Sequence, residues 1–184
     1  MSELVEQLRS LGIRQEGDPI LRGVCQPFDL PRERSAAVDL GHKLVGYIEP
    51  LQAIHPFTKG IGLAAPQIGV SRAMSVIRPQ GRDEPFLLMN PRITWRFEEE
   101  DVQYEGCLSF FDVRVPVPRA LALTVETNTL DGGREQRRFE LGLARLVAHE
   151  IDHLNGTLAR DLVPAGAKVL PLSEYRQGDR AWHY

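Results

Sequence analysis

The chain has 184 residues, 42% of them hydrophobic and 26% charged, which are the proportions of a soluble globular protein with one core. Its 22 basic and 25 acidic residues leave a net charge of −3, so it has no strong positive field to hold nucleic acid, and its apolar runs are too short to span a bilayer. Two cysteines, Cys25 and Cys107, are too few for a disulfide framework, and the cytoplasm is the expected compartment.

Leu4, Leu8 and Leu11 recur at helical spacing and predict a short amphipathic helix over residues 3–11, while Glu3 and Glu6 interrupt any signal-peptide core. Turn signals follow at Asp18-Pro19, Pro27 and Pro31. Leu40, Leu44 and Ile48, strengthened by Ala37, form one apolar stripe and predict a core-packing helix from residue 35 to about 48, stopped near Pro50. Next comes Gly60-Ile61-Gly62-Leu63-Ala64-Ala65-Pro66-Gln67. A dinucleotide loop needs a third glycine and a following helix, which Pro66 breaks. The small residues allow close backbone approach to a ligand, and the Gln67 amide suits a developing oxyanion. An ordinary tight loop fits the same residues equally well.

Short β-prone runs follow at 73–78, 86–89, 93–97, 113–117, 121–127 and 136–141. Gln80-Gly81 and Asp131-Gly132-Gly133 are turn signals between them, and the second predicts a hairpin. The period then returns to helical, with Leu143, Leu146, Val147, Ile151 and Leu154 on one face and Gly156 at the expected left-handed stop. The fold implied is α+β, with antiparallel sheets packed around a central metal-binding helix in a single domain over 1–184. The tail from Pro164, ending in Trp182-His183-Tyr184, carries no readable pattern.

The last helix contains His149-Glu150-Ile151-Asp152-His153. Residues four apart share a helix face, so both imidazoles reach one metal ion and Glu150 stands beside them as a general base. The bland alternative is a solvated helix face, but only five histidines occur in the chain and two fall at this spacing. A catalytic site of this kind needs a third protein ligand. Glu174 lies in the patternless tail, and His183 is close to the terminus. Cys107, in Glu105-Gly106-Cys107-Leu108-Ser109, is the better candidate, because thiolate ligates Fe(II) and Zn(II) well. Cys25 has no such setting and reads as a buried packing residue.

Residues 60–67, 105–109 and 149–153, in this order, closely resemble the peptide deformylase family, and the likeness runs over about residues 13–163. The resemblance implies that Cys107, His149 and His153 bind one divalent metal, natively Fe(II), at a site that also accepts Zn, Ni or Co. It makes Glu150 the proton carrier and gives Gln67 and the Leu108 N–H to the oxyanion. Gly62, Ile61, Arg114 and Phe110 would contact substrate, and Arg119 would pair with Glu105 in a structural role. Implied partners are N-formylmethionyl peptides, ribosome-associated nascent chains among them, with no nucleic acid or membrane; no oligomeric state is implied. Departures from the family pattern are Phe110-Phe111 after Ser109, Ala148 before the first motif histidine, and the unreadable tail. The aromatic pair keeps open a same-fold hydrolase for another N-formyl or N-acyl substrate. A generic zincin endopeptidase and a non-catalytic binding protein are the remaining alternatives.

Overall fold

The computed structural model describes residues 2–175, so the Trp182-His183-Tyr184 ending lies outside the described residues. Helix α1 (Glu3–Ser10) is capped by Ser2, whose hydroxyl accepts from the Val5 N–H. It buries Val5 and Leu8, with Leu4 and Leu11 packed more loosely on the same core. The next predicted helix is two helices. α2 (Arg34–Gly46) buries Ala37, Leu40 and Leu44, and Tyr47 separates it from α3 (Ile48–Ile54). Pro50 therefore stops nothing. It stands in the first turn of α3, where a missing N–H leaves no helical bond unmade.

Among the described residues nine strands form three sheets of three, every neighbouring pair antiparallel. β1 (Ile61–Ala64), β2 (Met74–Arg78) and β3 (Phe86–Met89) lie in that order. β4 (Arg92–Arg96), β7 (Ala122–Asn128) and β8 (Arg134–Glu140) make the second sheet. β5 (Glu100–Glu105), β6 (Val113–Ala120) and β9 (Leu170–Pro171) make the third. The hairpin expected at Asp131-Gly132 joins β7 to β8, with Gly132 at φ +88.

Three strands correct the sequence reading. β1 replaces the expected loop, because its four residues are all buried and pair with β2. β5 carries only Val102 and Tyr104 among charged and polar residues, a signal too short to announce it; six consecutive pairings with β6 hold it extended. β9 comes from the patternless tail and pairs with Val113 and Arg114.

Helix α4 (Leu141–Leu154) packs against β1, β2, β6, β7 and β8, which makes it the centre of the fold as expected. Its stop is strict. Gly156 has φ +74, and a Cβ there would lie 2.5 Å from the Arg22 carbonyl oxygen. Gly156→Ala should therefore cost about 2–4 kcal/mol, combining left-handed strain with a backbone clash. Gly17→Ala is the control. Gly17 is also left-handed (φ +100), but a Cβ there would meet nothing within 4 Å, so strain alone of about 1 kcal/mol is expected. Urea unfolding of both variants measures the difference. No helix among the described residues is long and apolar enough to cross a membrane.

Candidate metal centre

Three elements converge on one point. α4 supplies His149, Glu150 and His153; Cys107 follows the end of β5; Gln67 lies in the 3-10 turn Ala65–Ile68 after β1. Pro66 sits at the start of that turn, where it is compatible with helical geometry, so the chain turns at this point instead of looping. The ligand atoms of Cys107, His149 and His153 lie within 4.8 Å of one another and all three residues are buried. The Cys107 sulfur is 3.2 Å from His153 Nε2, and the two imidazoles meet edge to face with centroids 5.0 Å apart. Three soft or borderline donors at this separation suit one Fe(II) or Zn(II) ion.

Two further observations fit a cation there. His149 gives Nδ1 to Glu105 Oε2 at 2.9 Å, which leaves Nε2 as its ligand nitrogen. Glu150 Oε2 is buried and has no hydrogen-bond partner among the described residues, an uncommon state for a carboxylate oxygen. Glu174 does not compete for the third ligand. Glu174 pairs with Lys168 on the surface, and His183 is outside the described residues.

Glu105 is the hub behind the ligands. It accepts four hydrogen bonds: two from Arg119 at 2.9 and 3.0 Å, one from Arg145 at 2.8 Å and one from His149. Arg119 reaches on to Asp152, and Arg145 to Asp101 and the Val117 carbonyl. Burial alone would raise the Glu105 carboxyl, but Arg119 and His149 override it and hold Glu105 below the ordinary carboxylate range. Burial likewise opposes charge on His149, yet its bonds to Cys107 and Glu105 raise it, while burial and the His149 charge lower His153. The Arg119–Glu105 pair implied by the resemblance is thus present. Arg145 was missed, because in the sequence it reads as a polar interruption of an apolar helix face.

Glu150 is raised to about 7, chiefly by burial and then by the nearby Glu105 and Asp152 charges. A Cβ on Gly62 would lie 2.3 Å from Glu150 Oε1. The close approach that Gly62 permits is therefore first of all to this side chain. Gln67 accepts from the Ala64 N–H through Oε1 at 2.9 Å, which aims Nε2 at Ser109 Oγ (3.2 Å) and at the Cys107 sulfur (3.7 Å). Leu108 opens the 3-10 turn Leu108–Phe110, so its N–H is one that the turn itself leaves unpaired.

Among the described residues a pocket reaches this centre, and Ile61, Gly62, Gln67, Leu108 and Arg114 are among the residues that line it. Phe110 does not. It packs beneath with Cys107, Val115 and Leu158, and Phe111 faces the pocket instead. The 3-10 turn rotates successive side chains by about a third of a circle, which separates the two rings. His55, Phe57, Lys59, Tyr104 and Tyr175 also line the pocket and were not foreseen. Only Lys59 carried a signal, its position directly before the glycine-rich segment.

The polypeptide deformylase family model matches residues 10–168. The peptide deformylase of Dictyoglomus thermophilum is 37% identical over 149 residues, covering 81% of this chain and 90% of that protein. The crystal structure of peptide deformylase from Thermotoga maritima superposes with a TM-score of 0.69 at 33% identity, covering 83% of this chain and 96% of that one. A peptide deformylase from Synechococcus elongatus in complex with actinonin gives a TM-score of 0.71 at 27% identity, covering 84% and 80%.

Proposed function

The chain belongs to the polypeptide deformylase family, and from that membership we propose that it removes the N-formyl group from the first methionine of nascent polypeptides and releases formate. The observation that carries this reading is the donor set: both imidazoles of the helix motif joined by the Cys107 sulfur, with the Glu150 carboxylate beside them. A divalent cation held there, Fe(II) in our reading, supplies Lewis acidity that polarises a carbonyl and acidifies water.

The chain's own residues supply the rest. Glu150, raised to about 7, takes the proton of the attacking water and returns it to the leaving nitrogen near neutral pH. The Gln67 amide and the Leu108 N–H stabilise the oxygen on which charge develops. β1 is the edge strand of its sheet and lines the pocket, so Ile61 and Gly62 offer backbone groups to an extended peptide. Residues 1–184 then form one catalytic domain, working in the cytoplasm on chains leaving the ribosome.

The test is anaerobic formate release from formyl-Met peptides by Fe(II)-loaded protein, with metal analysis of the same sample. Release in proportion to bound metal is expected; a metal-loaded protein that releases none overturns the reading. Cys107→Ser should weaken metal binding on the order of 100-fold, because a hydroxyl replaces a thiolate. Unchanged metal content in that variant would favour a zincin whose third ligand lies elsewhere.

The pocket's aromatic wall supports a second reading. His55 stacks edge-on against Phe57 (5.2 Å) and Phe111 (5.1 Å), so a bulky N-formyl or N-acyl substrate is accommodated by ring contacts. Turnover of formyl-Phe or N-acetyl-Met peptides above that of formyl-Met peptides would establish it.

A further inference from the structure

The segment that follows β9 returns to the pocket. Leu170 and Pro171 pair with Arg114 and Val113, and the Leu172 N–H donates to the Asp112 carbonyl at 2.7 Å. Leu172 packs on the core that holds Phe111. The Tyr104 hydroxyl donates to the Lys168 carbonyl at 3.0 Å. The Tyr175 N–H is turned to the carbonyls of Pro171 (3.1 Å) and Leu172 (3.2 Å), and Tyr175 lines the pocket.

Tyr175 touches both sides of the cleft. On one side its hydroxyl accepts from the Lys59 ammonium at 3.3 Å, and Lys59 stands two residues ahead of β1 in the first sheet. On the other side its ring centre lies 5.8 Å from that of Tyr104, in β5 of the third sheet. The two sheets share no strand, so Tyr175 ties together walls that strand pairing does not join.

The tie crosses the route of a bound peptide. Among the described residues the pocket is lined by 55–62 and by Gln67, and not by 63–66, so it runs from Gly62 back toward Lys59 as it leaves the metal centre. A peptide with its N-terminus at Glu150, added to the free edge of β1, therefore runs antiparallel to that strand. Gly62 and Lys59 are three residues apart, about 10 Å of extended chain. The peptide meets the Lys59–Tyr175 contact at roughly its third residue.

We propose that Tyr175 is a specificity-determining residue that sets the length of peptide the cleft accepts. With the tie closed, the first two residues pair along β1, and a longer chain must leave the cleft or part Tyr175 from Lys59. The proposal rests on the deformylase reading for the place of the peptide's N-terminus, but its length preference is measurable apart from turnover.

The probes are formyl-Met-Ala-amide and formyl-Met-Ala-Ser-Ala-amide. Metal-loaded wild-type protein should turn both over with kcat/KM within about twofold, because the added residues gain no pairing past the tie. In Tyr175→Ala the longer peptide should gain about tenfold over the shorter, chiefly through KM, as backbone hydrogen bonds to the strand become available. Tyr175→Phe keeps the ring and removes the hydroxyl, and should show a gain of about threefold. A longer peptide already favoured about tenfold by the wild type, or an unaltered ratio in Tyr175→Ala, overturns the proposal. So does an equal loss for both peptides, which would make Tyr175 a structural residue only. Calorimetric binding of Met-Ala-amide and Met-Ala-Ser-Ala-amide should show the same pattern without turnover. A length preference in binding that appears only in Tyr175→Ala, with no formate release from any formyl peptide, upholds the length limit and refutes the deformylase reading. Formate release with a ratio that Tyr175→Ala leaves unaltered does the reverse.

Discussion

Replacing Glu150 by alanine should leave the metal bound and abolish nearly all formate release, a loss on the order of 10³-fold. Glu150 is not one of the three clustered donors, so its removal takes away no ligand. His149 keeps its bond to Glu105, and Cys107 keeps the Ser109 N–H on its sulfur at 3.4 Å. What is lost is a buried carboxylate, raised to about 7, with one oxygen that nothing else in the described residues engages. Alanine leaves a void facing Gly62, which water fills without restoring a proton carrier. Glu150→Gln separates shape from proton transfer, because it keeps the side chain's volume and should be as inactive as alanine. Formate release and metal content are measured on the same preparations. Turnover retained in both variants would remove Glu150 from the mechanism, and loss of metal would make it a positioning residue for the ligands.

How far the sequence reveals this site depends on the distance over which each feature is determined. The pairing of His149 with His153 follows from helical geometry within one turn, and Gly156 from the same helix's need for a left-handed stop. Cys107 is visible by scarcity, being one of two cysteines. Features set by remote partners are not visible. β5 is a strand because β6 offers it six pairing positions, although Glu100, Asp101 and Gln103 have little strand preference of their own. Arg145 interrupts an apolar helix face and is buried only because Glu105 and Asp101 arrive from forty-odd residues earlier. Phe110 and Phe111 are chemically alike, and a turn of three residues decides which ring meets substrate. Pro50 reads as a stop until Tyr47 ends the preceding helix ahead of it.

The hub supplies the second large effect. Glu105→Gln should destabilise the fold by about 3–5 kcal/mol and weaken metal binding about 10- to 100-fold. The carboxylate accepts four hydrogen bonds from two guanidinium groups and one imidazole at 1% exposure. An amide has one acceptor oxygen and would turn its own N–H groups toward donors. Arg119 and Arg145, 7% and 3% exposed, would be left buried beside a neutral group, and Asp152 and Asp101 would compensate only from the far ends of their guanidiniums. The metal suffers through His149, whose Nδ1 would lose the acceptor that keeps Nε2 turned to the site. Urea unfolding of the metal-free proteins isolates the stability component, and its pH dependence has a definite sign. The Glu105 carboxyl is held below its ordinary 4.5, so its contribution is complete above 4.5 and is lost as pH falls toward the depressed folded value. The gap between wild type and variant should be widest above pH 4.5 and close in stronger acid. A gap that stayed constant through that range would assign the loss to packing, with the charge of Glu105 contributing nothing.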